Sequence, residues 1–268
     1  MIATAHAIAI TCYFGAAALA AAPFARPVRA PVRGVCAVLA LGLGFHVAAL
    51  AAYAAEAGQL PLTGFAPALS FAGFVLGATL LVAELFAREV SLALVAAPLA
   101  ALPTTVANII GVHPIAEPAG TQGIWLASHI LLSFVGIAAF ATAAAAGAMY
   151  LLQRRELKAR RFGALFRIVP PLATLDRVNH IAAVAGWLGL TLGVVLAVSY
   201  SIAYRRLDLP QVVWGLAAWV AVSAVALGRV IGGWQARRAA VVSSVGFAVV
   251  VAMYVAFRVA AGGTGQFL

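Results

Sequence analysis

The chain has 268 residues, of which 65% are hydrophobic and only 9% are charged. Soluble domains carry about a quarter charged residues, so this composition excludes an ordinary water-soluble protein. The net charge of +10 does not indicate nucleic-acid binding, because the basic residues lie between long apolar runs and no groove-reading motif accompanies them. Apolar runs of about 20 residues, enough to cross a bilayer core as helices, recur along the whole chain. The sequence therefore predicts an integral α-helical membrane protein.

Eight transmembrane helices are expected, forming one membrane domain that covers residues 1–268. In chain order, the predicted spans are approximately 2–22, 34–55, 67–87, 90–111, 123–152, 177–203, 211–231 and 239–260. The connections between them are too short to fold as soluble domains. We therefore expect a bundle in contact with membrane lipid along most of its length.

The distribution of positive charge predicts how the bundle is oriented. No Lys or Arg precedes the first span, whereas Arg26, Arg29 and Arg33 follow it, which favours an N-terminus outside the cytoplasm. With that orientation, 14 of the 17 Lys and Arg residues lie in inner loops or at inner helix ends. Outside are only Arg205, Arg206 and Arg258. So large an asymmetry predicts an N-out, C-out topology.

Two features of the fifth span concern packing and the cytoplasmic side. Its small residues ATAAAAGA (141–148) should allow a neighbouring helix to approach closely. The basic segment 153–177 that follows is interpreted as a helical extension of the span, broken at Pro170 and Pro171. Contact with anionic lipid is the favoured role for this segment, and contact with a cytoplasmic partner is the alternative.

Polar groups at membrane depth need a partner or a function, and they are the candidates for a site. The predicted topology places His46 and His129 in the outer half of the bilayer, where two neutral imidazoles could ligate a haem iron. The alternative is that each histidine forms a structural hydrogen bond inside the bundle. Glu84 lies near the end of its span, from which it can reach the interface. His180 is interpreted as a boundary residue beside Asp176.

The remaining histidines, His6 and His113, have no partner that the sequence identifies. Sequence signatures of enzymes such as GxSxG, HExxH or a Walker A loop do not occur. Ser128 and His129 are adjacent on one helix and point about 100° apart, so they do not form a catalytic dyad. We therefore expect a protein that is not an enzyme.

Three long stretches of the chain resemble one family of membrane proteins. GIWLASHILLSFVGIAAFATAAAAGAMYLLQRRELKARRFG is similar to that family's histidine-bearing helix and its basic extension. LDRVNHIAAVAGWLGLTLGVVLA resembles the next span, with its LD start and LTxG core. DLPQVVWGLAAWVAVSAVALGRVIGGWQARRAAVVSSVGF resembles the span that follows, with its tryptophans and arginines in the family's order. The family that these stretches resemble is that of the cytochrome c assembly membrane proteins, and the similarity extends over roughly residues 40–255.

The resemblance implies a role in haem handling. In the CcsA and CcmC type, histidines flank a tryptophan-rich outer loop that holds haem. His129 matches the first flanking histidine, and Asp208 and Trp214 match positions in and after that loop. This chain has SYSIAYRRL before Asp208 and no histidine near its end. Those departures make it more similar to the HemX and YpjD group, which is linked to haem or cytochrome c biogenesis in the bacterial inner membrane.

Three functions are consistent with these observations. The first is an inner-membrane haem-handling protein, with His129 and His46 as haem ligands and partners among cytochrome c maturation or haem-synthesis proteins. The second is a non-haem scaffold or regulator of haem biosynthesis that acts through the basic segment 153–167. The third is a small-molecule permease, which the scarcity of intramembrane charge and the lack of internal repeats disfavour.

Overall fold

The computed structural model describes residues 1–25, 31–62, 64–87, 92–113, 121–160, 163, 169–204 and 209–260. Within these ranges the chain forms eight α-helices and no strand. The helices are α1 (Ile2–Ala25), α2 (Val32–Ala57), α3 (Phe65–Ala87), α4 (Ala93–Ile110), α5 (Thr121–Lys158), α6 (Leu172–Tyr204), α7 (Leu209–Val230) and α8 (Ala236–Ala260). All eight are long and apolar enough to cross a membrane, which confirms the predicted fold class. The N-out, C-out orientation stays a prediction.

The helices pack as two groups joined through α5. In the first group α1 packs on α2 and α4, and α3 packs on α4. In the second group α5 packs on α6 and α8, while α7 contacts both α6 and α8. Large apolar side chains such as Leu41, Leu188 and Val220 are exposed on the outside of the bundle, as expected for surfaces that face lipid.

Helix α5 is longer than the bilayer core. Its 38 residues span about 57 Å, well beyond a bilayer core of roughly 30 Å, and the charged residues of the helix lie at its C-terminal end. The prediction that this extension continues to Pro170 and Pro171 is wrong, because the helix ends at Lys158. Arg160 has a φ of 53°, a left-handed conformation that terminates a helix. Residues 161–162 and 164–168 lie outside the described part of the chain, and α6 begins directly after the two prolines.

The small residues of α5 bring its backbone close to two other helices. A Cβ on Gly136 would lie 2.6 Å from the Leu190 nitrogen of α6. A Cβ on Gly147 would lie 2.9 Å from the Ala240 oxygen of α8. The residues around Gly147, including Ala143 and Ala146, are fully buried. The prediction that the 141–148 face allows close packing is therefore confirmed.

An ion pair joins the start of α6 to the end of α7. Nη1 of Arg229 donates to Oδ1 of Asp176 at 2.6 Å, and the two side chains are 11% and 31% exposed. Exposed pairs contribute about 0.2–1 kcal/mol, whereas breaking a buried pair costs about 3–5 kcal/mol. The contribution of this pair to the free energy of unfolding should lie between those limits, because the arginine is nearly buried and the aspartate is not.

We expect Asp176→Asn to lower the free energy of unfolding by about 1–2 kcal/mol, because the Arg229 guanidinium would keep its shielded position without a counter-charge. The shift in melting temperature of the detergent-solubilised protein measures this effect. Glu156→Gln is the matched control, since Glu156 lies on the protruding end of α5. Equal shifts for the two variants would contradict a stabilising ion pair.

Candidate functional site

Four polar side chains from three helices meet in one water-excluded cluster, which we call the outer histidine cluster: His6 and Tyr13 of α1, His46 of α2 and Ser70 of α3. Oγ of Ser70 lies 2.7 Å from Nε2 of His6 and 3.1 Å from Nε2 of His46. The Tyr13 hydroxyl lies 3.0 Å from Nδ1 of His46. All four residues are at most 1% exposed. In the predicted orientation, the cluster lies in the outer half of the membrane.

The helical periodicity explains why these residues meet. His6 and Tyr13 are seven residues apart, so they lie on one face of α1 together with Ala9 and Ala16. Ser70 and Phe74 share a face of α3, and the Phe74 ring packs edge-on against His46 at 5.7 Å between centroids. The His6 and His46 rings are nearly perpendicular, with centroids 5.1 Å apart.

The hydrogen bonds of the cluster form one polarised chain. A serine hydroxyl carries a single proton, so Ser70 donates to one imidazole and accepts from the other. Because each neutral imidazole also has one donor and one acceptor nitrogen, the direction chosen at Ser70 sets the direction of the bond from His46 to Tyr13. At the other end, Nδ1 of His6 is buried and has no hydrogen-bond partner among the described residues. The cluster therefore leaves one imidazole nitrogen unsatisfied.

His129 lies apart from this cluster, in the contact between α5 and α6. Its Nδ1 lies 2.8 Å from the carbonyl oxygen of Gly193, within the LTLG sequence of α6. A carbonyl can only accept, so Nδ1 carries the proton and, in the neutral imidazole, Nε2 has a free lone pair. The ring is partly exposed. An imidazole fixed through Nδ1 to a carbonyl is the arrangement that metal-ligating histidines commonly adopt.

The predicted site residues are therefore not gathered in one place. His46 and His129 have separate partners, and α3 packs between their helices, with Phe71 against Phe134 of α5 at 5.9 Å. Trp214, at the start of α7, donates from Nε1 to the Val250 carbonyl at 2.9 Å. Asp208 lies outside the described residues. His46 and Trp214 as haem-binding residues stay predictions.

We expected Glu84 to reach the membrane–water interface, but in the structure it is buried inside the bundle. Its side chain is fully buried, and Oε1 accepts a hydrogen bond from the Ala93 backbone nitrogen at 2.7 Å. Ala93 is the first residue of α4, whose free N–H groups attract a carboxylate. Glu84 is thus a cap for the next helix, which the sequence alone did not reveal because the partner belongs to another span.

A cavity of about 190 Å³ opens between α3 and the first turns of α5, and His129 is not among its lining residues. Its lining is formed by Leu60, Leu62, Phe71, Ile124, Ala127, Ser128 and Leu131. Ligand pockets for small molecules are about 300–1,000 Å³, so this space is too small to enclose a porphyrin. His46 offers even less room, because it is 0% exposed and both of its nitrogens are engaged. His129, whose ring is partly exposed, is therefore more accessible to a haem than the buried His46.

The fold and these contacts define a multi-pass helical membrane protein with histidines inside the bundle. The family model for the cytochrome c assembly protein matches residues 34–263, slightly more than the predicted 40–255. The chain belongs to this family, which points to a role in haem handling for cytochrome c biogenesis. Searches of curated proteins and of solved structures each gave no match.

Proposed function

We propose that this protein binds haem at the outer side of a bacterial inner membrane and presents it for cytochrome c biogenesis, without catalysing a reaction itself. Membership of the cytochrome c assembly family supports haem as the bound molecule. The geometry of His129 supports this residue as the haem-binding site. Its Nδ1 donates a hydrogen bond to the Gly193 carbonyl at 2.8 Å, which leaves Nε2 as a ligand nitrogen on a partly exposed ring.

The residues around His129 would orient its ring for haem binding. His129 would hold haem through a bond from Nε2 to the iron, and the haem would supply that iron centre. The Gly193 carbonyl holds the His129 ring in one tautomer and one orientation. Trp125, one turn before His129 on α5, donates to the Leu196 carbonyl at 3.2 Å and fastens the same end of α5 to α6. These contacts hold the His129 ring in position before haem binds.

A test of this proposal is the absorption spectrum of the purified protein in detergent, oxidised and reduced, before and after adding haemin. We expect a Soret band in the wild type and the loss of most of it in His129→Ala. His113→Ala is the matched control, because His113 is an exposed imidazole outside the bundle core, and this variant should keep the wild-type spectrum. A wild type that stays colourless with added haemin, or an unchanged His129→Ala, would refute the proposal.

The alternative function is a non-haem scaffold or regulator of haem biosynthesis, of the HemX kind. One structural feature favours it: α5 continues as a helix to Lys158, carrying Arg154, Arg155 and Lys158. Arg155 and Lys158 are exposed. If no variant or condition gives a Soret band, a partner that contacts this basic end becomes the better explanation.

A further inference from the structure

We propose that basic residues at the C-terminal end of α5 and at the start of α8 together bind the headgroup of an anionic phospholipid. This site goes beyond the proposed haem function and is separate from it. Arg154 lies about 38 Å from His129 along α5, at 1.5 Å per residue. The two sites are therefore at opposite ends of the bundle.

The packing of α5 on α8 brings these two segments together. A Cβ on Gly147 would lie 2.9 Å from the Ala240 oxygen, and Oγ of Ser244 donates to the Ala144 carbonyl at 3.2 Å. Residue numbers rise along α5 as they fall along α8, so the two helices run antiparallel. Beyond these contacts, the end of α5 therefore passes the start of α8.

The basic side chains lie on the faces through which the two helices pack. Arg154 and Lys158 follow Gly147 at intervals of three and four residues, counting residue 151 between them, so they continue its face of α5. Arg237 comes one turn before Ala240 and continues the matching face of α8. Three cations thus lie at the mouth of the α5–α8 contact, two on one helix and one on the other.

A fourth cation is held beside them by an aromatic ring. The guanidinium carbon of Arg238 lies 4.3 Å from the centroid of the Trp234 ring. Trp234 is itself fixed to the end of α7, because its backbone nitrogen donates to the Gly228 carbonyl at 2.9 Å. A guanidinium stacked on an indole keeps the N–H groups at its edge, which suit phosphate oxygens. Ile231, 80% exposed in the same turn, offers apolar surface to the lipid chains.

The four cations need a negative charge from outside the protein. In the part of the chain that the structure describes, none of them forms an ion pair, and Asp176 is engaged by Arg229. Glu156 is the acidic residue near them on α5, and the first turn of α8 contains no acidic residue. Gathered positive charges repel one another, and an anion relieves that repulsion. Basic pockets between transmembrane helices commonly bind anionic lipid headgroups.

The arrangement favours a lipid with two phosphate groups. The cations form two pairs, one on each helix, and the axes of packed helices lie about 8–10 Å apart. A headgroup with two phosphates can contact both pairs at once, whereas a single phosphate contacts one pair closely. We therefore expect cardiolipin to bind more tightly than a phospholipid with one phosphate group.

The experiment is native mass spectrometry of the full-length protein in detergent, titrated with cardiolipin. We expect the wild type to retain one cardiolipin under conditions that remove phosphatidylcholine. Each basic charge near an anionic lipid is worth about a fivefold change in affinity. The double variant Arg154→Gln, Lys158→Gln should therefore weaken binding about thirtyfold, and Arg237→Gln, Arg238→Gln should do the same.

The matched control is the double variant Arg33→Gln, Arg177→Gln. It removes the same charge from exposed residues at the starts of α2 and α6, which lie at the same end of the bundle as the proposed site. This control should bind cardiolipin like the wild type, because neither residue lies at the α5–α8 contact. Equal weakening in the control and in the test variants would reduce the effect to overall charge and overturn the proposal. Wild-type affinity in both test variants would also overturn it and leave these cations to a protein partner.

The melting temperature of the wild type provides a measurement that needs no variant. A ligand that binds the folded protein stabilises it, so cardiolipin should raise the melting temperature, and phosphatidylcholine should not. An equal rise with inorganic phosphate would assign the cations to a free anion and overturn the lipid site. No difference between the two lipids would overturn it as well. Neither measurement contains haem, so failure here and failure at His129 are distinguishable.

Discussion

Replacing Gly136 by leucine should prevent α5 and α6 from packing. The Cβ alone would lie 2.6 Å from the Leu190 backbone nitrogen and 3.1 Å from the Gly186 carbonyl oxygen. Backbone atoms cannot move away without separating the helices, and a Cβ on Gly189 of α6 would in turn lie only 3.0 Å from the Cα of Gly136. Overpacking usually costs about 1–3 kcal/mol, and here we expect about 3 kcal/mol or more, since a rigid backbone meets the added side chain.

The measurement is the yield of monodisperse protein after detergent extraction, followed by its melting temperature. Gly44→Leu is the matched control, because it makes the same change in the middle of α2, where no atom lies within 4 Å of the added Cβ. That control should behave like the wild type or slightly better, since leucine forms helices more readily than glycine. Equal behaviour of the two variants would show that the glycine contact does not hold the bundle together.

The span count could be predicted because it depends on a local property. Lipid offers no hydrogen bonds to the backbone, so any apolar run of sufficient length must become a helix whatever lies beside it. The end of α5 was harder, because the run of basic residues continues past Lys158 with good helix formers. The helix ends at Lys158, just before the left-handed conformation of Arg160, and arginine is not a residue that normally ends a helix.

The site could be predicted only in part, because depth in the membrane does not identify neighbours. His46 and His129 were assigned to the same half of the bilayer, but α3 packs between their helices. Which helices touch is decided by close approaches such as Gly136 against Gly189, and these join residues far apart in the sequence. The structural alternative for His129, a bond to a backbone carbonyl, is present in the structure and is also compatible with ligation.

His6 was missed for the same reason. One signal was available: His6 lies two turns before Tyr13, on a face whose other buried residues are Ile2 and four alanines, so the two polar groups point into the same contact. The partners of that face, His46 and Ser70, belong to α2 and α3. Their convergence depends on how three helices pack, which the sequence of any one helix does not contain.

Replacing His46 by alanine should destabilise the protein much more than replacing His129. The His46 ring is 0% exposed, so its removal creates a cavity and also leaves Tyr13 and one side of Ser70 without their partner. An unsatisfied buried group costs about 1–3 kcal/mol, and a cavity of ring size adds to it, so we expect a loss of about 3–5 kcal/mol. His129→Ala removes one hydrogen bond from a partly exposed ring, and we expect about 1 kcal/mol.

Melting temperatures in detergent test this order, with Tyr13→Phe as an intermediate that keeps the ring and loses only the hydroxyl. Tyr13→Phe should cost about 1 kcal/mol of the free energy of unfolding. If His46→Ala were no less stable than Tyr13→Phe, that result would contradict a structural role for His46.

The relative stabilities of these variants also determine how their haem spectra are interpreted. Colour lost in an unfolded His46→Ala says nothing about ligation, whereas His46→Asn can keep a hydrogen bond in the cluster while removing the imidazole. Loss of the Soret band in a folded His46→Asn would make His46 a haem ligand, and retention of the band would leave that role to His129.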